Sequence, residues 1–381
     1  MGTPSILIAG AGIGGLTAAL TLAEEGFEVR VVERARDVKP LGLGINLLPH
    51  AVRELDHLGL ADPLASIAVA PSAVAYYDSR GAQLFREPRG VKGGYGHPQL
   101  SVHRGQLQAV LLDAVSDRLG TASVRTGAGL TGFTETANGV VAHTAAGDTA
   151  ADVLIGADGI NSAVRAQLHP EDGQLLWSGV RMFRGAAPAV PFLDGRTMVI
   201  VKGDNGIDLV AYPIGGGLVN WVLQVAAGDP GPLRGDVGWN RSADPTEVAS
   251  LVDDWQLDWL DIAALVRGAG EVFEYPMVDR DPLAYWGTER VTLLGDAAHP
   301  MYPVGANGGS QAVVDAAVLA EELCRDTRRG LRGYEDRRRP ETADVVRANR
   351  EMHISGATKR PDELARVTAK YADNTNARRN S

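Results

Sequence analysis

The chain has 381 residues, 45% of them apolar, and its 37 Lys and Arg against 47 Asp and Glu give a net charge of −10. That length fits about two domains, and the acidic balance argues against nucleic acid or an anionic membrane as a partner, because both select basic faces. One cysteine, Cys324, allows neither a disulfide framework nor a Cys-based metal site within the chain, so no metal is expected.

The amino terminus enters the apolar stretch SILIAGAG without the basic start of a signal peptide, and no stretch reaches the roughly 18 apolar residues of a spanning helix. A soluble, cytoplasmic protein is the expectation. The run Ile6 to Ala9 has the β-branched character of a buried strand. Gly10, Gly12 and Gly15 follow it as G-x-G-x-x-G, with Ile13 and Gly14 between, and Leu16 to Glu25 reads as a helix stopped by Gly26. A second strand, Glu28 to Val32, ends at Glu33. In this device the first glycine makes the tight turn, the second lets a pyrophosphate approach the backbone, and the third lets helix and strand pack closely. The phosphate meets free N–H groups at the positive end of the helix, and Glu33 stands where ribose hydroxyls need an acceptor. The segment predicts a dinucleotide without choosing between NAD and FAD, since both use it.

Further along, SAVAYYDSRGAQLFREP, from Ser72 to Pro88, reads as a β-hairpin. ADVLIGADGINSAVRAQL gives a buried strand, Val153 to Ile155, then the turn Gly156-Ala157-Asp158-Gly159 and a short helix carrying Ser162 and Arg165. The next hundred residues are strand-rich, with RMFRGAAPAV, TMVIVKGDNG, IDLVAYPIGGG and LVNWVLQVA separated by Gly, Asn and Asp turns, which predicts a mostly antiparallel sheet. RVTLLGDAAHPMYP then gives a strand, Val291 to Leu294, ending at Gly295-Asp296, with a loop of Gly and Pro up to Gly309 before a long apolar helix. From Gly330 the chain reads as polar helix. Its basic run Arg337 to Arg339 is taken as a solvated face, and the last dozen residues as frayed.

Taken in order, the three glycine signatures resemble those of the single-component FAD-dependent aromatic hydroxylases, over nearly the whole chain. PLGLGINLLPHAVRELDHLGL, SVHRGQLQ, DWQLDWLDI, EYPMVDRDPLAYWG and GDAAHPMYPVGANGGSQA look like the phenazine-biosynthesis branch of that family. The resemblance implies an α/β fold: a Rossmann-like FAD-binding domain, discontinuous over 1–71, 98–173 and 277–325, a mostly antiparallel substrate-binding sheet domain over 72–97 and 174–276, and a C-terminal helical segment over 326–381. It implies FAD as cofactor, NADH or NADPH as reductant, and a small aromatic or heteroaromatic substrate hydroxylated with O2 through a flavin C4a-hydroperoxide. Decarboxylative hydroxylation of a phenazine carboxylate is the particular reaction of the branch. Hydroxylation of salicylate- or hydroxynicotinate-type acids, or non-catalytic flavin or ligand binding on the same fold, are the alternatives. The preference between nicotinamides and the oligomeric state are open. A dehydrogenase has no use for the Gly-Asp loop, and a flavin halogenase needs W-x-W-x-I-P, whereas WQLDW has the wrong spacing.

Carried over by position, Gly10, Gly12, Ile13, Gly14 and Gly15 surround the pyrophosphate, with Glu33 and Arg34 at the adenosine ribose and Asp158 near the pyrophosphate. Arg104 reaches the ribityl and phosphate region, and Asp296 accepts from the ribityl hydroxyls. Residues 41–45, including Leu43 and Gly44, lie beside the isoalloxazine edge, and the N–H groups of Gly308, Gly309 and Ser310 open the helix whose positive end faces the flavin pyrimidine. Ser310 departs from the asparagine common at that place. Candidates for lining the substrate are Arg184 for a carboxylate, Tyr212 and Trp221 for a flat ring, and Pro303 as the wall nearest the flavin. His299 is read as mainly structural.

Overall fold

The computed structural model describes residues 4–37, 43–235 and 241–376, with side chains described as far as Ala372. Ile6, Leu7 and Ile8 are all buried, which suits a central parallel strand covered on both faces. Ser5–Ala9 pairs in parallel with Glu28–Val32 on one side and Val153–Gly156 on the other. Val291–Leu293 and Val124–Arg125 extend these to a five-stranded sheet. The helix Ile13–Glu24 packs against both Arg104–Leu119 and Asn307–Arg325. All three glycine signatures therefore leave the sheet at the carboxyl ends of neighbouring strands, where open α/β sheets bind their ligands.

A second, nine-stranded sheet contains both the hairpin Ala73–Asp78 and Gln83–Pro88 and the strands Leu176–Pro188, Thr197–Lys202, Ile207–Pro213, Leu218–Ala226 and Phe273–Asp279. The last of these runs three residues past the expected boundary at 276. All its pairings are antiparallel except Thr197–Lys202 with Ala73–Asp78. Side chains on a strand alternate between faces, and here the alternation divides core from cavity. Phe183, Val199, Val201, Leu209, Ala211, Trp221 and Leu223 point back into an apolar core shared with the helices Pro245–Ser250 and Ile262–Arg267. Arg184, Ile200, Val210, Tyr212 and Val222 point forward into a cavity.

Trp221 corrects the sequence reading. It is 0% exposed and belongs to the core behind the sheet, not to the substrate side. Gly185 sits opposite it in the register, and a Cβ there would lie 2.5 Å from the indole. The basic run is corrected too, because Arg338 is buried inside the helix Gly330–Ser355 and only its neighbours face outward. A buried arginine looks identical to a solvated one in a single polar sequence. The C-terminal helix continues to Asn376, and residues beyond it lie outside the described chain, as do Leu41 and Gly42 of the predicted isoalloxazine-edge loop.

Candidate active site

The three signatures are joined to one another by backbone and buried side chains. Ala157 N donates to Ala9 O at 2.8 Å and Leu294 N to Gly156 O at 2.9 Å, so the Asp-Gly turn lies between the other two. Gly10 has φ +107, and a Cβ on it would strike the Ala157 carbonyl; one on Gly15 would strike the Gly10 carbonyl. These two glycines are demanded by packing. Gly12 differs, since a Cβ there would meet nothing within 4 Å among the described residues. Arg165 is buried and donates from Nη1 to the carbonyls of Ala297 and Ala298 at 3.0 and 2.9 Å, and from Nε to Asp172. It is thus the residue that holds the Gly-Asp segment against the Asp-Gly helix.

Glu33 stands at the strand end as expected, and its two carboxylate oxygens accept from Ala11 N and Ala35 N, both at 2.7 Å. Arg34 beside it is exposed. Asp158 caps its short helix through Oδ2, which accepts from Ala163 N at 2.8 Å. Its Oδ1 is buried with no hydrogen-bond partner among the described residues, and burial raises the carboxyl above its ordinary value. An orphaned acceptor beside an open glycine turn fits a ligand that carries both hydroxyls to donate and phosphates to accept from backbone N–H groups, as FAD does. Two residues of this region went unnoticed in the sequence. Gln108 donates to Ala11 O at 2.7 Å and fixes the glycine turn, while Asn220 accepts from Gly44 N at 2.6 Å and fixes the strand-end loop. Both are ordinary polar residues whose role depends on contacts more than ninety positions away, which no local pattern reveals.

The turn opens onto a cavity of about 1760 Å³ between the two sheets. Gly12, Ile13, Gly14, Leu43, Gly44, Arg104, Asp296, Pro303, Gly308 and Gly309 all line it. Asp296 is exposed to this space, and Gly308 passes close enough that a Cβ on it would lie 3.7 Å from the Asp296 carboxylate. Gly305 (φ +67) and Ala306 (φ +61) are both left-handed, and they turn the chain abruptly into the helix Asn307–Arg325. Among the described residues no side chain caps that helix, whose first residues line the cavity, so its N–H groups and the positive end of its dipole face that space. Ser310 is buried away from this space. Its hydroxyl accepts from Leu48 N at 2.9 Å and donates to Ala306 O at 3.0 Å, which brackets the loop from behind. His299 is buried against Asp315, in keeping with a structural role.

On the opposite wall, Arg184 lies between Tyr212 and Tyr275, its guanidinium carbon 5.9 Å from the Tyr275 ring centroid. Nη2 donates to Gly44 O at 3.3 Å, and Nε has no partner among the described residues. Burial lowers its pKa, and no carboxylate of the described chain pairs with it. Burial likewise pushes Tyr212 up to about 12. Around them Val210, Val222 and Ile200 make the floor flat and apolar. The cavity thus has a wall of backbone N–H groups, carboxylate and glycine turns, and a wall suited to a flat anion.

A Rossmann-type sheet whose ligand end faces an antiparallel sheet across a shared cavity defines a dinucleotide-dependent oxidoreductase with its own substrate wall. The FAD binding domain family matches residues 3–219 and 271–349, and the chain belongs to it. The chain is 44% identical to the phenazine 1,6-dicarboxylic acid hydroxylase of Lysobacter antibioticus, over 96% of each chain. It is 33% identical to the 6-hydroxynicotinate 3-monooxygenase of Pseudomonas fluorescens, over 84% of this chain and 83% of that one. Among solved structures, Klebsiella pneumoniae HpxO complexed with FAD and uric acid is similar at TM-score 0.80 and 26% identity, covering 98% of this chain and 92% of that one. The protein is a flavin-dependent aromatic monooxygenase that uses FAD, a reduced nicotinamide and O2. Among the described residues no helix is long and apolar enough to cross a membrane.

Proposed function

We propose that the chain hydroxylates a flat heteroaromatic carboxylic acid of phenazine size, with the substrate carboxylate on Arg184. The observation that carries this reading is the guanidinium of Arg184, aimed into the cavity beside its apolar floor, with an unpartnered Nε and no carboxylate among the described residues paired with it. An enclosed guanidinium with no counter-charge is costly, and a planar carboxylate would meet its fork in two parallel hydrogen bonds. The likeness at 44% identity to a hydroxylase of a phenazine dicarboxylic acid supports the size of the ring system.

In the same reading FAD is held by Gly12, Ile13 and Gly14 at the pyrophosphate, Glu33 at the ribose, Asp158 through its orphaned oxygen, Arg104 and Asp296 along the ribityl chain, and Gly308 and Gly309 at the flavin ring. Bound FAD supplies hydride acceptance from NAD(P)H and activation of O2. The chain's share is positional. The uncapped helix start favours negative charge on the ring it faces. Tyr212 and the aliphatic floor hold the substrate plane, and Pro303 with the opposing wall limits water, whose entry diverts reducing equivalents to H2O2.

The test is mass analysis of products from a panel of phenazine-1-carboxylate, phenazine-1,6-dicarboxylate, salicylate and 6-hydroxynicotinate, with wild type and Arg184→Met. A phenazine acid is expected to be the best substrate, and mass loss of CO2 against simple gain of oxygen decides whether hydroxylation is decarboxylative. Arg184→Met should raise KM for the acid by about thirtyfold, the worth of a charge-assisted hydrogen bond, and leave an uncharged amide analogue unaffected. Equal losses on acid and amide would overturn the role of Arg184, and preference for a monocyclic acid would overturn the ring size.

A further inference from the structure

The C-terminal helix Pro361–Asn376 lies across the cavity as its roof. Leu364 is fully buried against Val74, Tyr76, Met198 and Tyr212, which are residues of the substrate wall and its margin, and Thr368, Tyr371 and Ala372 line the cavity. The helix begins beyond a turn at Gly356 and Ala357, which line the cavity too, and Lys359 there pairs with the exposed carboxylate of Asp204. Its first half therefore seats on the substrate sheet.

One residue of the same helix reaches the opposite wall. The Tyr371 hydroxyl donates to Asn349 Oδ1 at 2.6 Å, lies 3.2 Å from the Val304 carbonyl, and accepts from Asn307 Nδ2. Asn349 in turn donates to Tyr302 O at 3.1 Å. The phenol rests against the bare α-carbon of Gly305, and a Cβ on that left-handed glycine would fall on the phenol ring and oxygen. Tyr371 thereby touches the end of the loop at the Val304 carbonyl and Gly305, and the first residue of the uncapped helix at Asn307. Swinging the helix off the cavity breaks all of these contacts at once, and withdrawing the loop unseats the helix.

We propose that Tyr371 is a positioning residue that couples closure of the C-terminal helix over the aromatic substrate to the placement of residues 304–309 against the flavin. The coupling serves economy of reductant. With the cavity closed, NAD(P)H + H⁺ + O2 + ArH gives NAD(P)⁺ + ArOH + H2O. With it open, NAD(P)H + H⁺ + O2 gives NAD(P)⁺ + H2O2, and the substrate is untouched. The inference rests on the reading that residues 304–309 face the flavin.

The experiment compares wild type, Tyr371→Phe and Asp296→Ala. Amide hydrogen exchange is followed over residues 302–309 and 361–372, in flavin-free and flavin-loaded protein, beside the ratio of H2O2 to hydroxylated product. Phenylalanine keeps the ring and removes only the hydroxyl, so the variant is expected to fold and to bind FAD within about twofold of wild type. Exchange should rise together in both segments, by about tenfold for the loss of roughly one hydrogen bond's worth of stability, even without flavin. The H2O2 formed per NAD(P)H oxidised should rise severalfold. Faster exchange confined to the helix, or an unchanged H2O2 fraction despite faster exchange in both segments, overturns the coupling. Full FAD retention in Asp296→Ala tests something separate, since it would overturn the flavin placement whatever Tyr371 does.

Discussion

Arg338 donates from Nε to Asp315 Oδ1 at 2.8 Å, and both side chains are sealed from solvent on adjoining helices, Gly330–Ser355 and Asn307–Arg325. The other Asp315 oxygen accepts from Gly295 N at 3.0 Å and faces His299 Nε2 at 2.6 Å, while Arg338 Nη2 donates to Gln311 Oε1 at 2.5 Å. The cluster therefore pins the Gly-Asp turn to the helix that follows its loop. Burial pushes Asp315 up, but His299 and Arg338 outweigh it and hold the carboxyl at about 2, below the ordinary 3.8.

A depressed carboxyl stabilises the fold while ionised. Its contribution is complete above the unfolded value near 3.8 and is lost as pH falls towards 2. That difference corresponds to about 2 kcal/mol. Denaturant unfolding of wild type should show this loss between pH 4 and pH 2. Asp315→Asn should remove it and, by leaving a buried guanidinium half-paired, cost about 3 kcal/mol at pH 7. An unaltered acid limb in the variant would contradict the assignment.

The glycines of the first turn should separate folding from binding. Gly15→Ala places a methyl on the Gly10 carbonyl, a backbone atom that cannot yield, and should destabilise by about 3 kcal/mol or prevent folding. Gly12→Ala meets nothing within 4 Å among the described residues, so its melting temperature without flavin should equal that of wild type. If a pyrophosphate approaches Gly12 as proposed, the methyl would occupy that side and the FAD dissociation constant should rise by about tenfold or more. Thermal denaturation beside flavin fluorescence titration checks both.

Asp296 is exposed to the cavity, and a Cβ added to Gly308 of the uncapped helix would lie 3.7 Å from its carboxylate. Asp296→Ala should leave apoprotein stability within about 0.5 kcal/mol of wild type, as expected of an exposed side chain. It should weaken FAD by about tenfold through loss of hydroxyl contacts. Gel filtration of the reconstituted variant, followed by absorbance of the flavin that remains bound, measures this.

The parts of this fold that were legible in the sequence are those set by local rules. Gly10 and Gly15 sit at fixed spacing because their neighbours are a strand and a helix a few residues away, and the alternation of IDLVAYP declares a strand. Side-chain allegiance across long separations was not legible. Nothing in GSQAVVDAAVL distinguishes Asp315 from a surface acid until Arg338 and His299 are seen around it. Nor does SVHRGQLQ reveal that Gln108 touches the glycine turn. Trp221 shows a third limit, since alternation gives two faces but does not say which is cavity. Tyr212 and Trp221 have opposite parity on neighbouring strands, paired in the register as Tyr212↔Asn220 and Ala211↔Trp221, so they could never share a face.

That opposite parity gives a direct comparison of substrate wall and core. Tyr212 faces the cavity beside Arg184 and bonds to Asn46, whereas Trp221 is wholly enclosed by the core behind the sheet. Tyr212→Phe removes one hydroxyl from the wall and should cost only about 1 kcal/mol of stability. If Tyr212 lines the substrate as proposed, the substitution should lower kcat/KM by about tenfold, because the hydroxyl would help fix the plane against which the ring lies. Trp221→Ala empties a large core site and should cost about 4 kcal/mol, yet the fraction that remains folded should keep a wild-type KM. Denaturant titrations paired with steady-state kinetics distinguish the two. A Trp221 variant of normal stability but raised KM would put the indole on the substrate wall after all, and a Tyr212 variant with unaltered kinetics would remove the phenol from it.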